Sequence, residues 1–154
     1  DPEHVIEATP AAACKECFSD RYPTLMFAHG SSGITTAIRE FARFIAQLSK
    51  VEGLPKEWIA ALRSCRGVYL LTCPRTKEQY VGSATGSDGF YGRWLAYARD
   101  GHGGNVGLKS RDPSDYQVSI LEVAGSAITS DEVIAMETLW KQKLQSREMG
   151  LNRN

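Results

Sequence analysis

The sequence predicts an α/β fold in which a small antiparallel sheet of about three strands is flanked by helices on both faces. Three patterns predict it: a β-hairpin signal after Gly67, an alternating run at 116–123, and helical periodicity between and after these strands. With 154 residues, 42% of them hydrophobic, the chain can form one substantial core plus an extension. We expect a mostly helical N-terminal extension over residues 1–64 and the α/β domain over residues 65–154.

The extension is predicted from helical spacing. Five apolar residues recur at intervals of three or four: Ile34, Ile38, Phe41, Ile45 and Leu48. Gly53 ends this pattern, and Leu54-Pro55 opens a second helix at a position where proline is tolerated. Arg39 and Arg43 lie on other faces of the first helix. A solvated helix face explains them best, and an arm that contacts phosphates is the alternative.

The hairpin follows the extension. Two apolar runs, 68–72 and 79–81, bracket Cys73-Pro74-Arg75-Thr76, and a proline in second place presets the backbone of a four-residue turn. If these four residues are the loop, Tyr69 lies directly across from Tyr80, and opposed residues share a face. We therefore expect two phenols side by side. The alternative is that they only pack the sheet, as strand aromatics often do.

The helix predicted over 90–99 carries an arginine at its rim. Arg93 and Tyr97 are spaced i and i+4, so they lie together beside the apolar stripe. A guanidinium offers planar donors that suit phosphate. A lone arginine whose stem covers a packed helix is the competing interpretation.

The last helix directs a carboxylate at the core. Thr129 and Glu132 form a capping-box pattern, and four apolar residues follow in one stripe: Val133, Met136, Trp140 and Leu144. Glu137 falls within this stripe. Because an unpaired charge is costly to bury, we expect it to bind a metal ion or to form a buried ion pair with an arginine.

Other signals exclude several functions. The glycine-rich run after Gly82 has no lysine behind its last glycine, so it is not a nucleotide-triphosphate loop, although its amides could approach a backbone phosphate. His102-Gly103-Gly104 resembles an esterase turn, but no Gly-x-Ser-x-Gly supplies a nucleophile. Cys14 and Cys17 lack further ligands at zinc spacing, although His4 or His29 could join them; free thiols in a reducing compartment are the better interpretation.

Charge and hydropathy add two expectations. From Cys65 onward eleven Lys and Arg face ten Asp and Glu, so strong nonspecific binding to nucleic acid is not expected. No apolar run approaches the length of a membrane span and no charged-then-apolar leader opens the chain, so we expect no membrane partner and a cytoplasmic location. The chain starts at Asp1 without a methionine, which suggests a fragment of a longer protein.

Five ordered landmarks resemble the GIY-YIG nuclease family: Gly67-Val68-Tyr69, Tyr80-Val81-Gly82, Arg93 with Tyr97, Glu137, and Gly150-Leu151-Asn152. The resemblance covers residues 67–154. The run 101–105 and the strand after it are similar to bacterial members in which this domain ends a larger protein.

The resemblance implies a GIY-YIG-like fold and an endonuclease that hydrolyses DNA. It implies one Mg²⁺ or Mn²⁺ held by Glu137, Tyr69 as general base, and Arg93 bracing the phosphate. Tyr80 and Tyr97 would orient water or contact the phosphate, and Asn152 would hold the site together or position Glu137 or substrate. Substrate contacts are expected from four further residues: Ser83, His102, Asn105 and Lys109.

Two positions depart from the family pattern. Tyr97 stands where many relatives have histidine, and Ser83 stands where some repair-type relatives have lysine, which argues against a repair nuclease of that type. Cutting both strands with one site would favour a homodimer or two sequential nicks. The near-neutral charge would favour DNA binding by a localised patch or by a separate targeting domain. The alternative function is a noncatalytic module on the same scaffold that binds nucleic acid or another protein.

Overall fold

A four-stranded antiparallel sheet organises the chain, with strand order β1-β4-β2-β3. The computed structural model describes residues 40–100 and 116–153, which form a mixed α/β fold. In chain order its elements are β1 (Ile45–Gln47), a short 3-10 helix (Leu48–Gly53), α1 (Lys56–Ser64), β2 (Arg66–Thr72), β3 (Gln79–Ala84), α2 (Gly89–Asp100), β4 (Gln117–Ala124) and α3 (Ser130–Leu144). The predicted fold class is confirmed, with one strand more than expected.

The additional strand lies in a segment for which we predicted a helix. Ile45–Gln47 pairs antiparallel with β4, with Ala46 opposite Val118, so the predicted helix across Ile45 and Leu48 is wrong. Apolar spacing of three and four residues could not reveal this, because the strand is stabilised by pairing with a distant edge of the sheet. The compact unit that holds the sheet begins at Phe41. The division into an extension over residues 1–64 and a domain over residues 65–154 stays a prediction.

The hairpin is shifted by two residues from the predicted register. Tyr69 lies opposite Gly82, and Tyr80 lies opposite Leu71. The connection runs from Cys73 to Glu78 and is longer than predicted; the Cys73 N–H donates to the Glu78 carbonyl, and Lys77 has φ 64°. Because the shift is even, the two phenols still lie on one face of the sheet.

Helices cover both faces of the sheet. Tyr69 contacts Trp94 and Tyr97 of α2, whereas Ser83 contacts Glu137 of α3. Successive residues of a strand point to opposite faces, and Ser83 directly follows the glycine opposite Tyr69, so α2 and α3 approach from opposite sides. α1 packs against α2.

An aromatic core joins these layers. The Phe44 ring lies 4.9 Å from Trp58 of α1 and 5.6 Å from Trp94 of α2, measured between ring centroids. All three side chains are almost completely buried. The packing holds α2 against the face of β2 that carries Tyr69.

Candidate functional site

Two phenols and a guanidinium form one hydrogen-bonded cluster between β2 and α2. The Tyr69 hydroxyl donates to the Tyr97 hydroxyl at 2.9 Å. Arg93 Nε donates to the Tyr69 oxygen at 3.3 Å, and Arg93 Nη2 donates to the Tyr97 oxygen at 3.4 Å. The guanidinium also lies over the Tyr97 ring, 5.0 Å from its centroid. Arg93 and Tyr97 meet because they are one helical turn apart, and Tyr69 reaches them from the sheet.

Tyr80 extends this cluster along edge strand β3. Its ring lies edge to face with Tyr97 at a centroid separation of 6.2 Å, and its side chain is almost fully buried. Tyr69, Tyr80, Tyr97 and Arg93 therefore converge, although they come from three different elements of secondary structure.

Gly82 allows the Tyr69 phenol to reach its partners. A Cβ atom at this position would lie against the Tyr69 hydroxyl oxygen, 2.5 Å from its Cζ and 2.8 Å from its Cε2. Real Cβ contacts are not that short, so the phenol crosses the sheet directly over the place where any other residue has a side chain. The glycine opposite Tyr69 is thus required by close approach.

The phenols are neutral in this arrangement. Burial raises the pKa of Tyr69 above its ordinary value, Tyr80 adds to the rise, and Arg93 acts against it. Burial likewise raises the pKa of Tyr80, with Tyr97 and then Glu137 adding to the rise. The pKa of Tyr97 is raised by burial and by Tyr69. For Tyr69, desolvation outweighs the single guanidinium of Arg93, which acts to lower the pKa.

Glu137 lies on the inward face of α3 and is 8% exposed. Its Oε2 accepts a hydrogen bond from the Ser83 hydroxyl at 2.7 Å, and its Oε1 lies 3.1 Å from Lys141 Nζ. The capping box of α3, in which Thr129 and Glu132 bond reciprocally, is confirmed. The capping box at the start of α3 and the Ser83 hydroxyl on β3 thus orient the carboxylate. Its negative charge contributes to the raised pKa of Tyr80.

The partner of Glu137 differs from the predicted one. We expected an arginine if the carboxylate formed a buried ion pair, and the partner is Lys141, one turn further along α3. Val133, Glu137 and Lys141 are the buried residues of this helix. The spacing of four residues from Glu137 was the available sequence signal for Lys141, but lysines on helices are usually solvated.

The residues fit a magnesium-type ion that is bound together with a phosphate. Mg²⁺ prefers oxygen ligands and is commonly held by one or two carboxylates plus substrate phosphates. Glu137 supplies one buried, oriented carboxylate. Within residues 40–100 and 116–153, no cluster of three or more His, Cys, Asp and Glu side chains could enclose an ion by itself.

Asn152 fastens the edge strand. Its Oδ1 accepts from the Val81 N–H at 2.8 Å, and its Nδ2 donates to the Val81 carbonyl at 2.9 Å. Leu151 adds a hydrogen bond from its N–H to the Gln79 carbonyl. The C-terminal segment therefore pairs with β3 next to Tyr80 and Gly82, and the 2% exposed Asn152 acts on the site through the backbone of β3.

An open cleft of about 510 Å³ borders the site. Ser83, the loop through Asp88 and the first turns of α2 line it, including Arg93. Ser83 thus both lines this cleft and holds Glu137. Three predicted substrate contacts, His102, Asn105 and Lys109, lie outside the described residues, as do Cys14, Cys17 and Arg39.

The comparisons with known proteins gave structural neighbours only. No family model matches this chain, and no curated protein matches it. Two solved structures are similar to it. One is a single-residue mutant of the catalytic domain of intron endonuclease I-TevI, with 24% identity over 58% of this chain and 94% of its own, and a TM-score of 0.48. The other is the catalytic domain of homing endonuclease I-TevI, with 25% identity over 58% and 98%, also at 0.48.

Within the described residues, no helix has the length and apolar character that crossing a bilayer requires.

Proposed function

We propose that this protein is a divalent-metal-dependent endonuclease that hydrolyses phosphodiester bonds in DNA. One observation carries the proposal: Arg93, Tyr69 and Tyr97 share a hydrogen-bond network beside edge strand β3, and the same strand orients the buried carboxylate of Glu137. A guanidinium, phenols and an inward acid are groups that phosphoryl chemistry uses. Arg93 lines the cleft, and so does Ser83, which donates its hydroxyl hydrogen bond to Glu137. The sequence landmarks of the GIY-YIG family fall on these residues.

Arg93 is proposed to bind the scissile phosphate. Burial acts to lower the pKa of its guanidinium, but the oxygens of Tyr69 and Tyr97 raise it overall, so the group stays charged. Its planar donors match phosphate oxygens, and fixed donors are most effective where charge develops in the transition state. Because Arg93 also lines the 510 Å³ cleft, DNA entering there can reach it.

Tyr69 is proposed to act as the general base toward the attacking water. Its hydroxyl hydrogen bonds with Tyr97, which gives its proton a neighbouring oxygen. Since burial raises its pKa, only a small fraction is phenolate at neutral pH. Tyr80 and Tyr97 are proposed to orient the water, and Asn152 to keep β3 in place.

Glu137 is proposed to hold one Mg²⁺ or Mn²⁺ together with phosphate oxygens. When bound, such an ion supplies Lewis acidity that stabilises the leaving 3′ oxygen. Ser83 contributes by fixing one carboxylate oxygen with its hydroxyl. We further propose that the protein is cytoplasmic and that its partner is DNA. Because the chain has no net charge, DNA would bind to a local surface rather than through a general excess of positive charge. A homodimer and a separate targeting domain are both compatible with this mode of binding.

A noncatalytic module that binds nucleic acid or protein is the second candidate. The observation in its favour is the ion pair with Lys141, which neutralises Glu137 without a metal. A carboxylate with a purely structural role would form the same ion pair with Lys141.

Nicking of supercoiled plasmid in the presence of Mg²⁺ or Mn²⁺ separates the two candidates. We expect cleavage by the wild type, loss in Glu137→Ala and Tyr69→Phe, and retention in two matched controls, Glu148→Gln and Tyr91→Phe. Glu148 is exposed, and Tyr91 lies on α2 beneath Arg63. Folding of each variant is checked by circular dichroism. Absence of nicking by folded wild type under all conditions, with DNA binding retained, would establish the noncatalytic module.

A further inference from the structure

The most unusual feature of the site is a buried lysine whose ammonium lies against Glu137, the carboxylate proposed to bind the metal ion. Lys141 is 4% exposed and its ammonium lies 3.1 Å from Glu137 Oε1. Lysine is rarely buried, because a desolvated ammonium is costly unless it is paired. Each charge therefore compensates the other, and both side chains extend from the same face of α3.

The second carboxylate oxygen is also engaged. Glu137 Oε2 accepts from the Ser83 hydroxyl at 2.7 Å. An uncharged hydroxyl can share a carboxylate oxygen with a metal ion, because each oxygen accepts more than one partner. An ammonium differs, since it carries a full charge of the same sign as the ion. It would oppose a divalent ion at this carboxylate, and the burial of both side chains weakens the screening of this repulsion.

We propose that Lys141 and the divalent ion compete for Glu137, so that Lys141 keeps the carboxylate in a metal-free, charge-neutral state until its ammonium moves away. The inference deepens the proposed function, because the ion is the one assigned to the nuclease. Lys141 is here a positioning residue that acts through Glu137. When the ammonium leaves Glu137, a phosphate oxygen of DNA in the cleft that Ser83 lines is a partner of suitable charge for it.

The test measures Mn²⁺ binding without DNA. Free Mn²⁺ is followed by electron paramagnetic resonance at fixed ionic strength in the wild type and in Lys141→Gln, whose amide can still donate to Glu137. We expect at least tenfold tighter binding in Lys141→Gln, which corresponds to about 1.4 kcal/mol. Lys143→Gln is the matched control: it removes the same charge two residues away, where the exposed ammonium lies 4.7 Å from the Trp140 ring centroid.

Further variants decide where the ion binds. In the double variant Glu137→Gln/Lys141→Gln, we expect the gain in Mn²⁺ affinity to disappear. Equal affinity in the wild type and Lys141→Gln, an equal gain in Lys143→Gln, or no measurable binding to any variant would overturn the proposal. If Lys141→Gln is unfolded without metal, millimolar Mn²⁺ should restore its circular dichroism spectrum while Na⁺ at the same ionic strength does not; failure of this rescue would also overturn it.

The outcome is independent of catalysis. Because Mn²⁺ binding is measured on protein alone, competition can be found in a protein that never cuts DNA, which would reject the nuclease and keep the competition. Conversely, plasmid nicking that depends on Glu137, together with equal Mn²⁺ affinity in the wild type and Lys141→Gln, would keep the nuclease and reject the role of Lys141.

Discussion

Replacing Gly82 with alanine should disable the site through the position of one phenol. The new Cβ would lie 2.5 Å from Tyr69 Cζ, whereas ordinary contacts begin at 3.4 Å, so the phenol must retreat by about 0.9 Å. Tyr69 is 0% exposed and packs edge-on against Trp94, which leaves no free space for that movement. Overpacking of this kind costs about 1–3 kcal/mol. A displacement of about 1 Å also stretches the bonds to Tyr97 and Arg93, and misplacement on this scale reduces rates about 100-fold.

Chemical denaturation and plasmid nicking measure the two effects separately. Gly53→Ala is the control, because nothing lies within 4 Å of a Cβ at that position. If the clash with the phenol is the cause, Gly82→Ala should destabilise Tyr69→Leu by less than it destabilises the wild type, since the clashing atoms are gone. Nicking by Gly82→Ala within twofold of wild type, or equal destabilisation in both backgrounds, would refute the proposed contact.

Three further predictions follow from the same geometry. Because the pKa of Tyr69 is raised, cleavage at subsaturating DNA should increase about tenfold per pH unit between about pH 7 and 9; a plateau below pH 8 would exclude Tyr69 as the base in that state. Because the pKa values of Tyr69, Tyr80 and Tyr97 are higher in the folded than in the unfolded chain, these phenols stabilise the fold below the unfolded pKa, and this stability is lost as pH rises through the folded pKa values. At about pH 11, at least three of the six tyrosines should therefore lack phenolate absorbance at 295 nm. Full ionisation near pH 10 with native circular dichroism would contradict this. Asn152→Ala should lower the free energy of unfolding by about 3 kcal/mol, because it leaves the Val81 N–H and carbonyl without their partners; a loss below about 0.5 kcal/mol would show that water replaces them.

Local patterns explain which parts of the site could be predicted. Arg93 and Tyr97 are one turn apart on α2, and Glu137 faces inward because it falls within an apolar stripe of α3. Such relations depend only on the period of a helix, which the residues themselves reveal. Tyr69 and Tyr80 share a face in the predicted register and in the observed one, because the two registers differ by an even number of residues.

Pairings between distant segments could not be predicted in this way. The sequence does not state that Gly82 rather than Tyr80 lies opposite Tyr69, because loop length can vary by two residues without moving a side chain to the other face. It likewise does not reveal that Ile45–Gln47 completes the sheet, since a three-residue strand takes its stability from the edge of β4.

The sequence by itself determined the chemical groups of this protein and the faces they occupy, because helix and strand periods act over a few residues. The tertiary structure alone decided their partners: Ser83 and Lys141 for the acid, the main chain of Val81 for Asn152, and the space above Gly82 for the phenol of Tyr69. These pairings depend on desolvation and on close contact between segments that are far apart in the chain. Small differences in register or burial there change which charged group lies next to which oxygen atom.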